Sequence, residues 1–97
     1  MADSTWVNEE HMKFITLKAG EILSGIPALA LSNVRPTTPA DDRPRGYLVI
    51  IIVKTRHVVI ANVTFPTFSN LFGSGDLAGA EKFVREAIVG ALAGDAD

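Results

Sequence analysis

The chain has 97 residues, 47% of them hydrophobic, a formal net charge of −2 and no cysteine. That length sets one domain with one modest core, and the missing thiols exclude disulfides, thiolate zinc sites and cysteine nucleophiles. The charge is uneven: Arg35, Arg43, Arg45, Lys54 and Arg56 crowd the middle, while the acidic residues outnumber the basic ones toward both ends.

In chain order, residues 1–7 read as a frayed terminus, although Trp6 is large enough to seek cover. Asp3, Glu9 and Glu10 with no lysine or arginine before Lys13 do not resemble the start of a signal peptide. No apolar run approaches the ~20 residues of a membrane helix. The expectation is a soluble, cytoplasmic protein without membrane contact. Residues 8–25 fit a helix, with Met12, Ile15, Ala19, Ile22, Leu23 and Ile26 on one arc. Asn8 is placed to cap it, and Ser24-Gly25 before Pro27 to stop it. Phe14 and Leu17 lie off the stripe and Gly20 weakens the helix, so a hairpin of 12–18 with 21–24 is the competing reading.

Residues 28–34 read as a short strand. Residues 35–46 read as a flexible loop, since three prolines oppose regular pairing. The strongest element is a β-hairpin of 47–54 and 57–65 with its tip near Lys54-Thr55-Arg56-His57. Its first strand, Tyr47-Leu48-Val49-Ile50-Ile51-Ile52-Val53, has no polar face. In the second, Val59, Ala61, Val63 and Phe65 share one face and Val58, Ile60, Asn62 and Thr64 the other, and Pro66 closes the ladder. Residues 67–75 read as a connector. A last helix spans about 76–92, with Leu77, Ala80, Phe83, Val84, Ala87, Ile88, Ala91 and Leu92 as its stripe. The predicted fold is a single α+β domain over 1–97: a three-stranded antiparallel sheet, with the central hairpin 47–65, flanked by an N-terminal and a C-terminal helix in the order α-β-β-β-α.

Few residues point to chemistry. His11 and His57 stand apart, and no metal-ligand spacing or nucleophile elbow occurs. Asp41, Asp42, His57 and Asp76 are the only acids and bases a catalytic reading can use, and Ser74 or Asp76 reads more naturally as a helix cap. Asn62-Val63-Thr64 matches a glycosylation sequon inside a strand, a chance match. The expectation is a protein that is not an enzyme and needs no cofactor or metal. If both helices cover one sheet face, Leu48, Ile50 and Ile52, or the alternate set, face outward as a candidate interface. One helix on each face would leave no such patch. The predicted function is a protein-interaction module that binds itself or another protein. The alternative is nucleic-acid binding, with Arg43, Arg45, Lys54 and Arg56 as candidate polyanion contacts. A pocket between helix and sheet is a further place for a ligand.

One stretch carries a resemblance. A strand, tight turn and strand lead to Phe65-Pro66-Thr67-Phe68, then Gly75-Asp76-Leu77, then Ala80 and Glu86-Ala87-Ile88. Residues 47–92 are in this respect similar to HicB-type antitoxins, with Ser69-Asn70 where that family carries Pro-Gly. The resemblance implies an α/β domain, commonly oligomeric, that neutralises a small ribonuclease toxin.

Overall fold

A computed structural model describes residues 5–54 and 57–95. Helix α1 (Glu9–Ser24) begins where the Asn8 carboxamide oxygen accepts from the N–H groups of Glu10 (2.8 Å) and His11 (3.4 Å), and it stops at Gly25. Strand β1 (Leu29–Pro36) follows, then a 3₁₀ turn (Pro39–Asp41), β2 (Gly46–Val53) and β3 (His57–Thr64). Two helices close the chain, α2 (Phe65–Gly73) and α3 (Leu77–Asp95). The sheet is antiparallel in the order β1-β2-β3. The fold is α+β, as the sequence predicts, with one helix more than expected.

Two elements differ from the sequence reading. Residues 65–73, split there between the strand end and a connector, form α2, because a proline in the first helical turn lacks only an N–H that has no partner there anyway. Phe68 of α2 is fully buried, and Phe14 packs against Phe68 and Phe72 at ring-centroid distances of 5.9 and 5.3 Å. An aromatic residue off the main stripe of α1 thus has its own partner. Strand β1 also runs past its expected end, with Pro36 opposite Tyr47 at the sheet edge, where a missing N–H is tolerated.

Register decides which side of the sheet is buried. Tyr47, Val49 and Ile51 of β2 and Val59, Ala61 and Val63 of β3 form one core with Ile15, Ala19 and Leu23 of α1, Phe68 of α2, and Ala80, Val84 and Ile88 of α3. The helices therefore share one face. Gly46 is forced by close approach: a Cβ there would meet the Val63 carbonyl oxygen and lie 2.7 Å from Asn62 Oδ1. At the other end of the sheet Ala28 (φ 70°) and Lys54 (φ 52°) are both left-handed, joined by a 2.9 Å bond from Lys54 N to Ala28 O. The closing helix starts at Asp76, whose carboxylate accepts from Gly79 N at 2.9 Å.

Candidate functional site

The sheet face opposite the helices is laid out in three rows by the strand register. Ala30, Ile52 and Val58 form the row nearest the hairpin tip, then Asn33, Ile50 and Ile60, then Arg35, Leu48 and Asn62. The face grades from wholly apolar to polar along the strands. Val58 is 54% exposed, Ala30 and Asn33 are exposed, and Ile50, Ile52 and Ile60 are partly buried.

Leu48 belongs to this face by register but is fully buried, outside the core under the helices. Both side chains flanking it are tied to the 37–46 segment. Arg35 makes a two-pronged pair with Asp41 (2.8 and 3.1 Å), and Asn62 Nδ2 donates to the Pro44 carbonyl at 3.2 Å. Thr38 N and Oγ1 bond to the same Asp41 carboxylate, and Thr37 N donates to Gly46 O. The Arg35 guanidinium and these Thr38 bonds hold the Asp41 carboxyl well below the usual carboxylate range. Of the three candidate interface residues, Ile50 and Ile52 thus stay on an open face beside Val58 and Ile60, while Leu48 is withdrawn from water.

The basic candidates are dispersed. Arg43 and Arg45 precede β2 and Lys54 follows it, so a strand about 26 Å long separates them. Arg56 lies outside the described residues. Arg43 and Arg45 instead line an open cleft of about 200 Å³ with Trp6, Thr37, Thr38 and Pro39. The Arg45 guanidinium sits 5.5 Å from the Trp6 ring centroid. Trp6 in turn packs on Tyr47 and Phe65 at 5.4 and 5.2 Å. Sequence reasoning did not bring Trp6 to Arg45, because 38 positions separate them and only the fold joins them.

The histidines do not converge. His11 is 5% exposed among Phe65, Phe68, Phe72 and Tyr47, with the Phe72 ring 4.8 Å away. The Tyr47 hydroxyl accepts from Asn8 N at 3.1 Å and lies 3.3 Å from His11 Nδ1. Burial lowers the His11 pKa and raises that of Tyr47. His57 is exposed at the start of β3, Asp41 is held by Arg35, and Asp76 caps α3. Among the described residues no three His, Asp or Glu side chains gather into a metal-binding group, and no helix is long and apolar enough to cross a membrane.

Comparison with known proteins finds no matching family model, no similar curated protein and no similar solved structure. Of residues 65–76, Phe65 and Pro66 open α2, Gly75 lies between α2 and α3, and Asp76 caps α3.

Proposed function

We propose that this protein is a small, soluble, cytoplasmic interaction module without catalytic activity, which pairs with a second copy of itself through the open sheet face. The observation that carries the reading is the one-sided packing of the helices, which leaves Ile50, Ile52, Val58 and Ile60 on the uncovered side. The two rows that hold them contain no charged side chain. They offer an ionic partner nothing to grip, and the surface that matches them best is the same face of another copy. Two such sheets pack about 10 Å apart with strands roughly 30° off parallel, so Ile50 and Ile52 of one copy interdigitate with those of the other. The non-catalytic part rests on the dispersal of the titratable groups.

Size sets the strength. Three strands of eight residues present at most about 14 × 26 Å, or roughly 370 Å² in projection before the row covered by the 37–46 segment is subtracted, against about 800 Å² per partner in a stable complex. The dimer is therefore weak, with a Kd between about 10 μM and about 1 mM. Ile50→Lys and Ile60→Lys test it. Both variants should keep the wild-type circular dichroism spectrum and lose the concentration dependence of the amide spectrum, which in the wild type is centred on residues 30, 33, 50, 52, 58 and 60. Wild-type spectra that do not change on dilution would remove the basis of the reading.

A further inference from the structure

We infer that the cleft beside Trp6 binds an oxyanion group, phosphate or carboxylate, carried by a small ligand. The structure describes four arginines. Two are neutralised in place, Arg35 by Asp41 and Arg85 by Glu81. The other two, Arg43 and Arg45, are paired with no carboxylate among the described residues, and both line this one cleft. Two arginines on the lining of one space gather positive charge there, and an oxyanion in that space is attracted to both. Their planar forks match carboxylate and phosphate oxygens two at a time.

The cleft is built rather than loosely assembled. Arg45 is held over the Trp6 ring, and its carbonyl accepts from Phe65 N at 2.8 Å, so its position is set before a ligand arrives. On the other wall Thr37 Oγ1 accepts from Gly46 N at 3.1 Å, which leaves its hydroxyl proton to donate to a bound oxygen. Asp41, whose carboxylate is bonded to Thr38 of this wall, has its charge matched by Arg35, and neither Asp41 nor Asp42 lines the cleft. At about 200 Å³ the space is below the roughly 300–1,000 Å³ of sites that enclose whole drug-sized ligands. It takes the charged end of a molecule, with Trp6 as an apolar wall for the carbon next to it. Lys54 stands at the far end of β2, so the arrangement grips one anionic group and does not track a polynucleotide backbone.

The chain has a single tryptophan, so its fluorescence reports on this site alone. The full chain is titrated with inorganic phosphate, phenyl phosphate and benzoate at constant ionic strength balanced with sodium chloride. A saturable change in Trp6 emission, half-complete at about 1 mM or below, is expected for at least one of the three. A response to the phosphates only assigns a phosphate ligand, and a response to benzoate only assigns a carboxylate. The Arg43→Gln/Arg45→Gln double variant should weaken that binding at least about tenfold while lowering the melting temperature by no more than a few degrees, the loss of the Arg45–Trp6 contact. In ¹⁵N-labelled wild type, the shifts should centre on the Trp6 indole and residues 37–46, a readout that needs no variant. Changes that stay linear for all three probes, equal those given by chloride, or persist unaltered in the double variant overturn the inference. So does binding of an oligonucleotide with no response to any of the three.

Discussion

Ile51 and Ile52 are chemically identical neighbours that the register sends to opposite sides of the sheet, and they should respond oppositely to truncation. Ile51 is fully buried, paired across the sheet with Leu31 and Val59 and packed in the core beneath the helices. Ile51→Ala removes three carbons, about 2.4 kcal/mol of transfer free energy at roughly 0.8 kcal/mol each. The cavity left behind brings the loss to about 3–5 kcal/mol. A domain of this size has about 5–15 kcal/mol in total. The melting temperature should therefore fall by about 12 °C or more. Ile52 lies between Ala30 and Val58 on the open face and is only partly buried, so Ile52→Ala should cost under about 1 kcal/mol and a few degrees. Thermal and urea unfolding followed by circular dichroism, at one low protein concentration for both variants, reads the difference. Equal losses would mean that both faces of the sheet are covered, and a larger loss for Ile52→Ala that the register is shifted by one residue and every assignment of sheet faces reversed.

Burial holds the His11 pKa below its ordinary 6.5, so the folded state resists a proton that the unfolded chain accepts. The stability this gives is complete above about pH 6.5 and is lost as the pH falls toward the folded pKa. Melting temperatures measured from about pH 7 to pH 5 should decline in the wild type and flatten in His11→Phe. Gly46→Ala should destabilise by about 1–3 kcal/mol in urea titration, because the new Cβ meets the β3 backbone at Val63 and the Asn62 side chain. Ala28→Gly should instead raise the melting temperature, by up to about 1 kcal/mol of stability, because Ala28 holds a left-handed conformation that glycine adopts without strain.

Local signals in the chain were a sound guide to local structure. Asn8 and Asp76 are readable as caps because their function needs only the next three residues, and the hairpin is readable because two apolar strands flank one short polar tip. Pro66 reads as a stop and so hides helix α2, although Phe65, Phe68 and Phe72 repeat at helical spacing and a first-turn proline is permitted. Pro36 reads as a barrier to pairing, which holds for central strands but not for the edge position it occupies. The candidate sites depend on long-range placement. The side of the sheet that α1 and α3 choose is set by packing of three elements at once, and that choice leaves Ile50 and Ile52 open. The tethering of Arg35 and Asn62 by the 37–46 segment, which withdraws Leu48, has no counterpart in the periodicity of any strand. Clustering of Arg43, Arg45, Lys54 and Arg56 along the sequence conceals that a whole strand separates the first two from the third.

Pairing through the open sheet face is tested most directly by sedimentation equilibrium of the wild-type chain from about 1 μM to 1 mM, a range that brackets the affinity expected from the interface area. Face-to-face pairing predicts a weight-average mass that rises from 10.4 kDa toward twice that value across the series, and a flat profile for Ile50→Lys. A wild-type mass that stays at 10.4 kDa up to the highest concentration would contradict it.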